Sequence, residues 1–551
     1  MPCTRQRAHR TLPGNTDEHR RYLMRENKNI GSELDATALR IRGGGRRLVA
    51  AVIIDIIAAL AVIVFGVLLW SSGLLPLKFF IPLCVILLLL CGVLTILSLG
   101  GRHLLRPTLG MIFNLLLALA CVLGSYMVTK GVDTLRDIIG KRESSNHVGI
   151  YVRTDDPAKD LQDLESYAFG ILGDEDRENT DEAIAELEKT LGDGKKISYT
   201  EYKNKFSMVS DLLSDKLGAV FLNSSYIDVI SDVEGFENLG SKLREVYSVR
   251  VVSDKTDNKT DIKQPSDTGY PDGVFTVYMS GIDTRSGYLV EKSRCDSNIL
   301  AVINSKTKNV LLISIPRDYY VELALPEANG AKDKLTHAGI YGVQCSMDTV
   351  AKLFDIDVNY YFRVNFGGFE QIIDALGGIT VYNDYYFEST VSFFEDEAGR
   401  YYSYPAGDIN LTGEAALYFA RERHAVSGGD RGRGLNQMKV IEAVADKMMS
   451  PAILKNYSNL LDQIKGNFEM SIPYDTVSEL VREQLDSGTD WTFTTYNVDG
   501  AGDNQPPYSL GGLYAYVMVP DESTVSTAKD LISQVVDGKN PVVPETSAAD
   551  N

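Results

Sequence analysis

Three apolar runs near the N-terminus constrain this chain more than any other feature. Residues 48–70 (LVAAVIIDIIAALAVIVFGVLLW) contain a single charge, Asp55. Residues 74–99 contain only Lys78, close to one end, and residues 108–128 contain none. At 1.5 Å per residue, each run is long enough to cross a hydrocarbon layer of ~30 Å. The first is not a cleavable signal peptide, because 47 residues precede it and its apolar stretch is too long. Three transmembrane helices are therefore expected within residues 48–130. Asp55 reads as an acid held neutral or reaching toward the interface, in preference to a proton pathway.

Positive charge beside the spans sets their direction. Residues 1–47 carry eleven Lys/Arg, among them Arg40, Arg42, Arg46 and Arg47 next to the first span. The first connection, SSGL, is uncharged, and the second, GRHLLRP, carries Arg102 and Arg106. A multi-pass protein is expected, embedded in the cell membrane. Its basic segment 1–47 lies in the cytoplasm, and everything after Lys130 lies outside.

The part after the spans is strongly acidic. Residues 1–130 hold 15 Lys/Arg against 6 Asp/Glu, so the formal charge of −19 for the whole chain becomes −28 for the rest. Such a surface repels polyanions, which argues against nucleic acid as a partner. Of the six cysteines, Cys3 is cytoplasmic by this topology, and Cys84, Cys91 and Cys121 lie in spans. Cys295 and Cys345 are the two left outside, where a disulfide between them is expected. Zinc is disfavoured, since only six His are present and no CxxC spacing occurs.

Two folded regions follow. Residues 146–252 alternate strand-like runs (HVGIYV, YAFGIL, ISYTEY, GAVFLN) with helical ones, as a small α/β accessory domain does. Residues 253–273 are polar, charged and turn-rich, and read as a linker. In residues 274–536, strands are expected at VFTVYMSGI, SNILAVINS, NVLLISI, YYFRVNF, ITVY and WTFTTYNV. Helices are expected at 337–353, 368–376, 412–419, 437–449 and 452–485. Residues 539–551 read as a disordered tail.

The charged residues of this second region fall at the ends of its elements. Val310 to Ile315, interrupted only by Ser314, has the almost unbroken apolar character of a strand covered on both faces, and Pro316 must stop it. Arg317 and Asp318 come next, at the strand's C-terminal lip, where open α/β sheets bind ligands. Asp283 and Arg285 follow the first strand, and Arg294 and Asp296 precede the second. Arg421 and Arg423 come after a helix; Asp430, Arg431, Arg433 and Gln437 lead into the next. Each alone reads more simply as a surface charge or a cap, but jointly they favour one pocket. His337 is open between a structural hydrogen bond and a site role.

This series resembles the LytR-CpsA-Psr family of cell-wall polymer transferases over residues 274–536. The family's elements occur in order: Asp283-Thr284-Arg285, Arg294-Cys295-Asp296, Ser314-Ile315-Pro316-Arg317-Asp318, Arg421-Glu422-Arg423, then Asp430, Arg433 and Gln437. DKLTHAGIYG (333–342) and DALGGITV (374–381) are similar to family segments. Asn436 departs from the pattern, which often has Arg before the Gln.

The resemblance implies an α-β-α catalytic domain with a mixed central sheet. It also implies transfer of a phosphoglycan from a polyprenyl-pyrophosphate-linked glycan to a hydroxyl of peptidoglycan, with Mg²⁺ as cofactor. Asp283 and Asp296 would hold the metal. Arg285, Arg294, Arg317, Arg421, Arg423, Arg433 and Gln437 would bind the pyrophosphate, since arginine's planar fork holds two oxygens at once. Arg317, Asp318, Arg421, Arg423 and Asp430 are the candidate catalytic residues. Phosphoryl transfer needs mainly positioning and neutralised charge, which this set supplies. Two other functions use the same anchor: a pyrophosphatase, with water as acceptor, and a non-catalytic envelope sensor or transcription attenuator. The accessory domain reads as a spacer or partner contact, with small-ligand sensing as the alternative.

Overall fold

The computed structural model describes residues 47–100, 105–140, 144–192, 196–253, 270–282, 289–389, 402–449 and 468–544, together with Gly45, Ile464 and Gly466. Most of the basic N-terminal segment, residues 254–269 of the expected linker and residues 545–551 of the expected tail lie outside the described residues. Residues 1–129 form one compact unit and residues 130–551 a second.

Among the described residues, three helices are long and apolar enough to cross a membrane: α1 (Arg47–Ser71), α2 (Leu77–Leu99) and α3 (Leu105–Gly140), the last continuing past the end of the first unit. Ile53, Ile57, Leu60 and Val64 on α1 are bare of protein, as side chains that face lipid are. Small side chains let the helices approach. A Cβ on Gly110 would lie 2.5 Å from the Ser98 nitrogen, and Ala58 and Val62 pack against Cys91, Leu94, Leu117, Ala118 and Cys121. Asp55 does not reach for the interface. It is buried, accepting hydrogen bonds from Ser98 Oγ (2.5 Å) and Asn114 Nδ2 (2.7 Å), so its carboxyl joins all three helices.

The second unit contains both expected folded regions. The accessory sheet comprises β1 (Ser144–Arg153), β2 (Ala168–Leu172), β3 (Ser198–Tyr202), β4 (Ala219–Asn223) and β5 (Leu243–Ser253), in the order β3-β2-β4-β1-β5. Strands β2, β3 and β4 run parallel, and β1 pairs antiparallel with both β4 and β5.

The larger sheet comprises β6 (Val274–Ile282), β7 (Cys295–Asn304), β8 (Asn309–Ile315), β9 (Tyr360–Asn365), β10 (Phe468–Met470) and β11 (Thr492–Asn497). Its order is β10-β9-β6-β7-β8-β11. The β9–β6 and β8–β11 pairs are parallel and the others antiparallel, so the sheet is mixed. Alternate residues serve opposite faces. Leu300, Val302, Leu311 and Ile313 meet the helices Val343–Phe354 and Glu522–Val536. Ile299, Ala301, Val310 and Leu312 meet Met438 and Leu480, on the helices Asp430–Met448 and Tyr474–Ser487. Helices thus cover both faces, which is why β8 reads as a continuous apolar run.

Local chemistry corrects several boundaries. The helix expected at 452–485 is not continuous. Residues 450–463 lie outside the described residues, Phe468–Met470 is a strand beside β9, and a new helix begins after Pro473. Proline is well placed at such a start, because it cannot extend a preceding ladder or helix. The helix expected at 337–353 is interrupted at Gly342, whose φ of 103° is a left-handed conformation that favours glycine. The helix expected from 437 starts at Asp430. The hairpin Gly500–Gln505 with Ala515–Pro520 and the helix Glu522–Val536 carry no expectation above.

Candidate active site

The antiparallel β7–β8 pairing brings the start of β7 beside the end of β8, with Asn298 opposite Ile315. Pro316 ends β8, and the turn that follows is tied down where Thr336 N donates to the Arg317 carbonyl at 2.8 Å. Arg294 and Asp296 therefore meet Arg317 and Asp318 at one end of the sheet. Asp296 Oδ1 accepts from Arg294 Nη2 (3.1 Å), Arg317 Nη1 (3.4 Å) and Thr336 Oγ1 (3.3 Å). Asp318 lies 3.5 Å from Arg317 Nε through one oxygen and 3.5 Å from Lys334 Nζ through the other.

The helix Asp430–Met448 closes the cluster from one face of the sheet. Asp430, Arg433 and Gln437 fall at i, i+3 and i+7, on one stripe. Arg433 Nη2 pairs with Asp430 (2.7 Å) and lies 3.4 Å from the Asp296 carbonyl. Gln437 Oε1 accepts from Ser297 Oγ at 2.8 Å. The close approach depends on Gly434, where a Cβ would lie 2.3 Å from Ser314 Oγ.

Charge at the site is concentrated. Burial opposes ionisation of Asp296, but the guanidinium groups of Arg294, Arg317 and Arg433 outweigh it and hold the carboxyl well below the usual range. Burial also pulls Arg433 below its ordinary value, and the neighbouring Arg317 and Arg423 push the same way. Among the described residues, the buried Nε donors of Arg294 and Arg317 have no hydrogen-bond acceptor, although Arg317 Nε is ion-paired with Asp318. An arrangement that crowds like charges and leaves donors unmet is suited to an anionic ligand.

The accessory domain contributes acids that no motif announces. Asp232, just after its helix Ser225–Ser231, pairs with Lys334 and lies 3.3 Å from His337 Nε2 and 4.0 Å from Arg294. Asp228, one helical turn earlier, is open to solvent and lies in the electrostatic field of Arg294 and Arg317. His337 itself is fully buried, with Nδ1 2.9 Å from Asp333 Oδ1 and 2.8 Å from Ser509 Oγ. Burial disfavours its charged form, but Asp333 and Asp232 prevail and raise its pKa. The only advance sign of these partners was the DKLTH segment, which contains Asp333, Lys334 and His337 but not the distant Asp228 and Asp232.

The other expected residues are less converged. Asp283 and Arg285 lie outside the described residues, although Ile282 before them pairs with Cys295. Arg421 ends the helix Gly413–Arg421 with its guanidinium 4.0 Å from the Phe366 ring centroid. Arg423 is exposed, and Glu422 between the two turns inward to accept three backbone N–H bonds. Asn436 is buried and donates to the Phe419 carbonyl at 3.2 Å, a packing role.

The expected Cys295–Cys345 disulfide is not formed: both thiols are free and buried. Cys295 Sγ lies 3.8 Å from Ser346 Oγ and is packed against the backbone at Gly339, where a Cβ would come within 2.6 Å of the sulfur. Cys345 is engaged with Thr349 on its own helix, and burial pushes its thiol up to about 12. Each sulfur is thus packed as a small apolar group with its own neighbours.

Residues 244–526, a little over half of the chain, match the sequence model of the LytR_cpsA_psr family. A "Polyisoprenyl-teichoic acid--peptidoglycan teichoic acid transferase TagU" from Enterococcus faecalis is 34% identical over 207 residues, 37% of this chain and 64% of that protein. The Bacillus subtilis protein of the same name is 30% identical over 253 residues, 46% of this chain and 74% of that one. This chain therefore spans less than two thirds of the Enterococcus relative's length. The crystal structure of B. subtilis TagV is 26% identical with a TM-score of 0.40, covering 48% of this chain and 98% of that one. From the ordered series of acid and arginine motifs and the span of the family match, the chain belongs to the LytR-CpsA-Psr family.

Proposed function

We propose that the protein is a phosphotransferase that attaches a secondary polymer to the cell wall. It moves a glycan phosphate from a polyprenyl-pyrophosphate carrier to a hydroxyl of peptidoglycan, on the outer side of a membrane that its three N-terminal helices cross. The observation that carries this reading is the convergence of Arg294 and Arg317 on the half-buried carboxylate of Asp296, with Arg433 beside that residue's backbone carbonyl. The names of the relatives, teichoic acid transferases acting on peptidoglycan, support the same class of donor and acceptor.

The donor set also suits Mg²⁺. All the hydrogen bonds that Asp296 accepts from described side chains fall on Oδ1, which leaves Oδ2 as a hard oxygen ligand. Asp296, with Asp283 of the Asp-x-Arg motif, would hold the ion, which supplies charge neutralisation on phosphate oxygens when bound. The protein's own part is positional. Arg294, Arg317 and Arg433 bind the phosphate oxygens, Asp430 orients Arg433, and Asp318 with Lys334 orients Arg317. Gln437, held by Ser297, fixes the helix that carries Arg433.

Incubating the full-length protein with lipid-linked glycan and peptidoglycan oligomers tests the reading. Glycan joined to peptidoglycan is the expected product. Glycan phosphate released to water identifies a pyrophosphatase, and an unchanged donor identifies a binding protein without catalysis.

A further inference from the structure

The accessory domain is built into the active site. Its strand β1 holds the segment that leads into Arg294, where Glu291 N donates to the Ser145 carbonyl (2.8 Å) and Lys292 N donates to Asn146 Oδ1 (3.2 Å), and Lys292 Nζ pairs with Asp176 (2.7 Å), at the start of the helix Arg177–Leu191. Its helix Ser225–Ser231 is fastened to the same segment by Ser225 Oγ, which donates to the Lys292 carbonyl. Tyr226, Val229, Ile230 and Val233 turn into the accessory core. Asp228 and Asp232, four residues apart, share the opposite stripe and are presented to the arginine cluster.

The acids around that cluster differ in how far they are committed. Asp296 is bonded by Arg294, Arg317 and Thr336; Asp318 lies between Arg317 and Lys334; Asp430 pairs with Arg433; Asp232 faces Lys334, His337 and Arg294. The Asp228 carboxylate makes no hydrogen bond or ion pair with any described residue, and the residue is exposed. A general base for an incoming hydroxyl needs an uncommitted, accessible carboxylate beside the groups that hold the phosphate.

We propose that Asp228, supplied by the accessory domain, is the general base that accepts the proton of the attacking hydroxyl. This rests on the phosphotransferase reading above. The hydroxyl oxygen forms a bond to the glycan-side phosphorus while the bridging P–O bond of the pyrophosphate breaks. The electron pair leaves with the bridging oxygen as polyprenyl phosphate, and the hydroxyl proton passes to the Asp228 carboxylate and then to water. Partial enclosure by protein raises the basicity of Asp228, with Asp296 and Asp232 acting the same way against Arg294 and Arg317.

The test uses the full-length protein in detergent with lipid-linked glycan and peptidoglycan oligomers. Asp228→Asn should lower transfer by about a hundredfold or more while donor affinity stays within about twofold of wild type. Asp228→Ala should recover part of its transfer when formate is added as a diffusible base. Transfer by the Asn variant within about threefold of wild type, an equal loss of donor affinity, or no response to formate overturns the assignment. Those results leave the functional reading standing, whereas a wild-type protein that transfers nothing overturns that reading and the inference with it.

Discussion

Arg317 stands where β8 can no longer continue, because Pro316 has no N–H for the ladder. Its guanidinium is thereby placed between Asp296 and Asp318, at the point where an anion would enter. Arg317→Lys keeps the charge and loses the planar fork, so transfer should fall by at least about tenfold, with circular dichroism unchanged. Normal transfer by that variant would return Arg317 to the role of a surface ion pair. His337 carries a second prediction. Burial opposes its charge, but Asp333 and Asp232 raise its pKa above the ordinary value. The stability it contributes is fully present below the unfolded value of about 6.5 and is lost as pH rises through the higher folded value. The thermal midpoint should fall across that window in the wild type and fall less in His337→Gln; matching profiles would contradict the pairing. At this scale Arg294, Asp296, Arg317, Asp318, Asp430 and Arg433, which meet at one end of the sheet, were legible because they fall at element ends. Asp228 and Asp232 were not, because they come from another domain and lie in no motif.

Element boundaries were hardest to read where glycine serves packing. Asp430 to Gly434 looks like a loop, since Gly432 and Gly434 are poor helix formers. Yet the helix begins at Asp430, and Gly434 lets it lie against Ser314 and Asn497 at the ends of β8 and β11. Gly434→Ala puts a Cβ 2.3 Å from Ser314 Oγ and must shift the helix. Urea denaturation of the variant should show a loss of roughly 1–3 kcal/mol, with a fall in transfer because Arg433 and Gln437 move. A fully stable and active variant would mean that the approach is not needed. The strands of the larger sheet were more legible, because helices on both faces impose apolar runs on β6, β7 and β8. The strand Phe468–Met470 was hidden by its brevity, and the Cys295–Cys345 bond was inferred from compartment and count, which carry no information on where each sulfur points.

Across the whole molecule, the three apolar helices were plain in the sequence, and the intimacy of the accessory domain was not. The accessory core takes in Ile340, Leu510 and Ala515, residues that belong to the catalytic region in sequence. The two regions thus share a core, and the accessory domain is packed against the region that carries the motifs. The basic flanks predict that protease applied to intact protoplasts removes the large region after Lys130 and spares residues 1–47. Clipping confined to the first 47 residues would reverse the orientation. The central claim concerns the path of one phosphorus atom. With radiolabelled phosphorus on the glycan side of the lipid pyrophosphate, the account predicts label covalently joined to peptidoglycan and an unlabelled polyprenyl phosphate released in equal amount. Label that stays with the carrier, or appears on free glycan phosphate without entering peptidoglycan, would contradict it.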